Sequence, residues 1–186
     1  IQDAQRAIKT VRSRAAEWGV DPGRIGILGF SAGGHLASTA ATHSNESFCE
    51  ARDAIDRVSC RPDFAVLVYP VISFTEPFTH VGSRTNLLGP NAAPALIEKF
   101  SNEKQVTPQT PPTFLFSTWE DTGVPAENSI AFYLALRKAK VPAEMHIFLK
   151  GPHGIGLGVN RGGASAWPGL CAKWMEESGF LKGKTK

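Results

Sequence analysis

No apolar run in this sequence approaches the roughly 20 residues that span a bilayer, which excludes a transmembrane helix. Charge of either sign is in no excess: 20 lysines and arginines face 17 aspartates and glutamates, for a net +3. A nucleic-acid partner needs a basic face with aromatic platforms, and neither is present. The one basic cluster, Lys182, Lys184 and Lys186, reads as a solvated, frayed terminus. Cysteine is scarce too. Cys49, Cys60 and Cys171 form no C-x-x-C pair, which argues against a zinc ribbon or a redox couple. Cys49 and Cys60 could close a loop disulfide in a secreted protein, but free thiols are the simpler reading of an odd count. Internal repeats and low-complexity tracts are absent. So is an initiating methionine, and no capping residue precedes Ile1, which already lies in a helical pattern. The chain therefore reads as a fragment, or as a mature chain trimmed at its front. A secretion signal is then not observable.

What is present is ordinary for a globular domain. The 186 residues suffice for one core, with 42% hydrophobic and 20% charged residues. Helical and strand patterns alternate. Residues 1–18 place Ile1, Ala4, Ile8, Val11, Ala15 and Trp18 on one helical face, with Gln2, Gln5, Arg6, Lys9 and Arg12 opposite. Gly19 and Pro22 stop that helix. Residues 24–30 read as a buried strand, 32–42 as a helix of small residues, and 45–61 as a polar loop. A second strand at 63–69 ends at Pro70. Residues 71–112 are irregular apart from a short helix near 94–100. A third strand at 113–118 precedes a helix at 125–139, whose Ile130, Leu134 and Ala135 face the core. A fourth strand at 143–149 precedes a last helix at 166–178, with Trp167, Leu170 and Trp174 on one face. Strands separated by helices imply parallel crossovers, hence an α/β fold of about four parallel strands flanked by helices. The 71–112 segment is too long for a plain connector and follows the C-terminal end of a strand, where α/β sheets bind ligands. It reads as a pocket wall or lid, or equally as a loop with a satellite core cluster, and Phe74 and Phe78 in it, with Phe30, are candidate substrate contacts.

The chemistry centres on Gly29-Phe30-Ser31-Ala32-Gly33. A serine hydroxyl is a weak nucleophile until a base activates it. In a G-x-S-x-G elbow the serine sits on a tight turn between strand and helix, and the flanking Gly29 and Gly33 permit close approach of the two backbones. The helix N-terminus that follows presents free N–H groups, so the Ala32 N–H is the candidate oxyanion donor. The base should be a histidine on a loop after a late strand. His153, in Gly151-Pro152-His153-Gly154, is favoured over His35, His43, His80 and His146. The acid that orients it is Asp121, after the third strand, with Glu120 as the alternative.

These segments resemble the α/β-hydrolase superfamily, and within it the small serine esterases akin to acetyl-xylan esterase and dienelactone hydrolase. The resemblance is carried by "DPGRIGILGFSAGGHLAS", by "RPDFAVLVYPVIS" and by "PPTFLFSTWEDTGVPAENSIAFYLALRKAKVPAEMHIFLKGPHGIGL". It implies Ser31, Asp121 and His153 as a triad, with no metal or organic cofactor. It implies a small acyl ester or acetylated polysaccharide as substrate, and a secreted or periplasmic setting. Feruloyl esterase, lipase-like carboxylesterase and peptidase readings share the same elbow, and a catalytically impaired scaffold is the alternative outside enzymes. Two departures stand out. The superfamily has further strands before the opening helix, with an HGG-type loop giving a second oxyanion N–H, and nothing here matches it. The first strand then becomes an unpaired edge, which predicts a homodimer or larger assembly, or an unstable half-sheet. Where the family often carries His-Gly at the end of the third strand, this chain has Ser117-Thr118, for which little catalytic effect is expected.

Overall fold

The computed structural model describes residues 1–48 and 51–181. Its strands β1 (Gly26–Phe30), β2 (Phe64–Val68), β3 (Thr113–Thr118) and β4 (Ala143–Phe148) form one parallel sheet in that spatial order. The helices are α1 (Gln2–Ser13), α2 (Ala32–Thr42), α3 (Val81–Leu88), α4 (Pro94–Lys99), α5 (Glu127–Lys138) and α6 (Trp167–Glu177). Side chains alternate across β2 and β3. Ala65, Leu67 and Leu115 pack with Ala37 and Ala41 of α2 and Phe132 and Leu136 of α5. Val66, Val68, Phe114 and Phe116 pack on the other face with Trp167, Cys171 and Trp174 of α6. Covered on both sides, all six residues of β3 are buried, which is why TFLFST reads as a continuous run without polar alternation. The strands were legible for the same reason. β1 is the exception. It forms one edge of the sheet, with β2 its sole strand partner among the described residues, and its Leu28 is half exposed.

Three expectations need correction. The first helix ends at Ser13, with turns from there to Gly19, so Trp18 leaves the apolar face and is largely exposed. On its expected polar face, Gln5 and Lys9 are buried. The cause is the loop that follows α2, which folds over α1 and offers it carbonyls. Gln5 Nε2 donates to the Glu46 carbonyl (2.7 Å) and Lys9 Nζ to that of Asp56 (2.8 Å). Arg6 forks onto Asp53, and Arg12 reaches the carbonyls of Ser59 and Arg61 and the carboxylate of Asp63. Polar side chains are here a lining for backbone, not a solvated face.

In α5 the core-facing side chains are Phe132 and Leu136, while Leu134 points to solvent. The helix phase is set by two buried polar residues. Asn128 Oδ1 accepts from the Ile72 and Ser73 N–H groups (3.0 and 3.2 Å), and Ser129 Oγ bonds Ser117 Oγ (2.7 Å). A search for apolar periodicity alone misses such residues. The 71–112 segment contains α3 as well as the expected α4. No residue of α3 is buried, so it carries no apolar stripe to read; its N-terminus is capped by His80 Nδ1, which accepts from the Ser83 N–H (3.1 Å).

Cys171 is a buried free thiol, and burial pushes its pKa up to about 11. Cys49, and with it a Cys49–Cys60 closure, lies outside the described residues, as do Lys182, Lys184 and Lys186. No helix among the described residues is long and apolar enough to cross a membrane.

Candidate active site

Ser31 stands between the last residue of β1 and the first of α2 with φ 53° and ψ −121°, a conformation that costs a non-glycine residue about 1–3 kcal/mol. Neighbouring backbone holds it there. The Ser31 N–H donates to the Val68 carbonyl (3.1 Å), and the Ser31 carbonyl accepts from the Val71 N–H (3.0 Å). Close approach explains Gly29, where a Cβ would lie 2.1 Å from the Gly33 carbonyl oxygen. It does not explain Gly33, where a Cβ would meet nothing within 4 Å. The second glycine that space requires is Gly34, whose Cβ would come within 2.6 Å of Pro70 Cβ. The motif spacing drew attention to Gly33, but the contact that excludes a side chain comes from the turn after β2, which the local sequence cannot reveal.

Three of the expected side chains are brought together from three loops. Ser31 Oγ lies 2.7 Å from His153 Nε2, and His153 Nδ1 lies 2.6 Å from Asp121 Oδ2. Asp121 is buried, and its other oxygen, Oδ1, accepts the N–H groups of Gly123 (3.0 Å) and Val124 (2.8 Å). That leaves Oδ2 for the imidazole. A carboxylate at Nδ1 selects the tautomer protonated there, so Nε2 presents a lone pair to the serine hydroxyl. Glu120, the alternative acid, faces elsewhere: its Oε2 accepts from the Gly151 N–H (3.2 Å).

The loop that carries His153 is rich in glycine, with positive φ at Gly151, Gly154, Gly156 and Gly158. It is tied at its start by Thr118 Oγ1, which donates to the Gly151 carbonyl (2.6 Å). Further along, Gly156 is gripped on both sides: its N–H donates to Tyr69 Oη (2.9 Å) and its carbonyl accepts from Trp167 Nε1 (3.1 Å). Neither Thr118 nor Tyr69 stood out as a site residue in the sequence. Position after a strand was the available signal: both sit where β3 and β2 end.

Among the described residues the Ala32 N–H has no protein acceptor, as befits the first residue of an 11-residue helix. Beside it opens a cavity of about 330 Å³, lined by Ala32, Leu36 and Thr39 of α2, by Phe74, and by Asn86 and Leu87 of α3. Of the expected aromatic contacts only Phe74 reaches this cavity. Phe30 packs instead against Tyr69 and Trp167 (ring centroids 5.8 and 6.1 Å) on the opposite side of the sheet end. Phe78 offers its carbonyl to Asn128 Nδ2 (3.2 Å) and does not line the cavity.

The remaining histidines serve structure. His35 stacks on Phe74 (4.3 Å) and bonds the Phe100 carbonyl through Nε2 (2.9 Å); burial lowers its pKa to about 4. His43 bonds the Lys99 carbonyl (3.1 Å) and its pKa is also lowered by burial. His80 caps α3, and His146 pairs with Glu144 along β4 (2.7 Å). No group of three histidine, cysteine or acidic side chains suited to a metal gathers among the described residues.

The chain is 38% identical over 169 residues to endo-1,4-beta-xylanase B of Butyrivibrio fibrisolvens, covering 91% of this chain and 26% of that protein. It is 36% identical over 163 residues to the acetylxylan esterase of Xylanibacter ruminicola, covering 86% of this chain and 32% of that one. It thus spans about a third or less of the length of these curated relatives. Among solved structures, the acetyl ester-xyloside bifunctional hydrolase from Caldicellulosiruptor lactoaceticus superposes with a TM-score of 0.90 at 50% identity, over 96% of this chain and 65% of that one. The BD-FAE family model matches residues 1–136, a span that holds the elbow and Asp121 but stops short of His153. On that extent of match, and with a fold shared with α/β-hydrolase esterases, the chain belongs to the BD-FAE family.

Proposed function

We propose that this chain carries the catalytic site of a serine carboxylic-ester hydrolase acting on small acyl esters, with acetyl groups on xylan or another plant polysaccharide as the substrate class. The observation that carries this reading is the unbroken hydrogen-bond chain from Ser31 Oγ through His153 to Asp121. The names of the relatives support the substrate class.

In this reading His153 Nε2 takes the proton of Ser31 as Oγ attacks the ester carbonyl. Asp121 holds the imidazole in place and stabilises the imidazolium that forms. The Ala32 N–H, backed by the positive end of α2, donates to the developing oxyanion; one such donor is worth about 3 kcal/mol in the transition state. As the bond between the carbonyl carbon and the sugar oxygen breaks, His153 gives its proton to that oxygen, so the sugar leaves as an alcohol and an acyl group remains on Ser31. Water, activated by the same imidazole, releases the acid. Residues 71–112 serve as the wall of the acyl pocket, since Phe74, Asn86 and Leu87 close the cavity beside Ala32.

The test is hydrolysis of 4-nitrophenyl acetate against longer acyl esters, with Ser31→Ala as the control. Activity on acetate that falls at least about 10³-fold in the variant is expected. Equal rates in the two proteins would overturn the reading, and activity that rises with acyl length would overturn the small-acyl substrate class.

A further inference from the structure

Among the described residues Tyr69 is the one aromatic with a left-handed backbone, φ 37°. It follows the last residue of β2, is almost fully buried, and is not part of the hydrogen-bonded triad. A bulky side chain takes up this conformation only where surrounding contacts over-determine it, and such residues gather at functional sites. The contacts here are specific. The Tyr69 N–H donates to the Phe116 carbonyl of β3 (2.6 Å), fixing the turn. The ring then stands edge-on to the His153 imidazole, with centroids 5.0 Å apart and planes at 71°. The phenol oxygen accepts the N–H of Gly156, three residues beyond His153.

We infer that Tyr69 is a positioning residue for His153: its ring supports one side of the imidazole while its hydroxyl pins the glycine-rich loop that carries it. This rests on the proposed role of His153 as the base. The loop needs such support because glycine lets it wander. Four of the eight residues from Gly151 to Gly158 are glycines with positive φ. The Thr118 bond ties the loop before His153, whereas the grip on Gly156 ties it after. Freed at Gly156, the ring can drift, and a displacement of about 1 Å between reacting groups costs on the order of 100-fold in rate. The turn after β2 also holds Ser31 through Val68 and Val71. One short segment therefore references the nucleophile and the base to the same backbone.

Two variants test this, Tyr69→Phe and Tyr69→Leu, each checked for folding by far-ultraviolet circular dichroism. The first keeps the ring and removes the acceptor of the Gly156 N–H; the second removes both supports. Two readouts are taken. One is the rate at which a fluorophosphonate labels Ser31, alongside kcat and KM on 4-nitrophenyl acetate. The other is solvent exchange of the His153 Nδ1 proton, followed by NMR, which reads the bond to Asp121 whether or not the protein turns over. We expect labelling and kcat to fall about 10-fold in Tyr69→Phe and about 100-fold in Tyr69→Leu, with KM changed less than about two-fold and faster proton exchange in both. Folded variants with unchanged exchange and unchanged labelling would overturn the positioning role. If Tyr69→Leu does not fold, Tyr69→Phe alone decides. If the wild-type protein takes no label, the hydrolase reading fails, and the exchange measurement still decides whether Tyr69 holds the imidazole.

Discussion

Ser31 and Gly34 meet the same constraint from two directions. The elbow brings the start of α2 against both the end of β1 and the turn after β2, so Gly29 and Gly34 have no room for a side chain, whereas Gly33 does. This gives a stability test at single residues. Gly34→Ala forces a methyl group into Pro70 and should destabilise the fold by about 1–3 kcal/mol. Gly33→Ala adds a methyl in open space and relieves the helix of a glycine, which should stabilise by up to about 1 kcal/mol. Urea denaturation of the two variants beside the wild type checks the sign of each change. A loss of stability in Gly33→Ala equal to that in Gly34→Ala would contradict the packing described. At this scale the candidate nucleophile, base and acid were legible from residue type, order and position after strands. The supports were not. Tyr69 and Thr118 act through loops distant in sequence. The choice of Asp121 over Glu120 was made on the sequence, and the structure places the Asp121 carboxylate at the imidazole and that of Glu120 at the Gly151 N–H.

Elements are joined by buried polar side chains as much as by apolar ones. Asn102 Nδ2 donates to Ser38 Oγ (2.7 Å) and Thr39 Oγ1 (3.0 Å), tying the 3-10 turn at Asn102–Gln105 to α2. His35 of α2 reaches the carbonyl of Phe100, the residue that follows α4. Such a junction is sensitive to acid. Burial lowers the His35 pKa from its ordinary 6.5 to about 4, against a smaller raising effect of the Phe100 carbonyl, and burial lowers His43 as well. Between those limits the unfolded chain binds a proton at His35 that the native chain refuses. Stability is therefore unaffected by this group above pH 6.5 and is lost progressively as pH falls towards 4, by on the order of 3 kcal/mol. Thermal unfolding followed across that window should show a falling Tm, with a shallower slope in His35→Gln than in the wild type. Parallel slopes would show that His35 is not the group responsible. Sequence patterns located these helices wherever apolar residues repeat. They failed where polar residues do the packing, as in the phase of α5 and the buried Gln5 and Lys9 of α1.

Across the whole molecule the sheet is asymmetric. β2 and β3 are buried on both sides, while β1 presents one edge with no strand partner among the described residues and a half-exposed Leu28. Backbone donors and acceptors on such an edge recruit another strand. We expect the isolated 20.0 kDa chain to self-associate, with sedimentation velocity giving a larger species that Leu28→Lys reduces. A wild-type monomer at every concentration would rule this out. The same edge lies beside the elbow, so assembly and activity should be measured on one preparation.

The order of strands and helices, their parallel arrangement and the identity of Ser31, Asp121 and His153 as candidates were determined by the sequence itself. These depend on local periodicity and on residue chemistry at strand ends, both of which neighbours in the chain carry. The tertiary structure decided the rest: which glycines are indispensable, which residues tie down the loop of His153, which aromatic side chains line the cavity, and which polar face of α1 is buried. Each of those turns on contacts between segments tens of residues apart, and distances across a folded sheet are written in no local pattern.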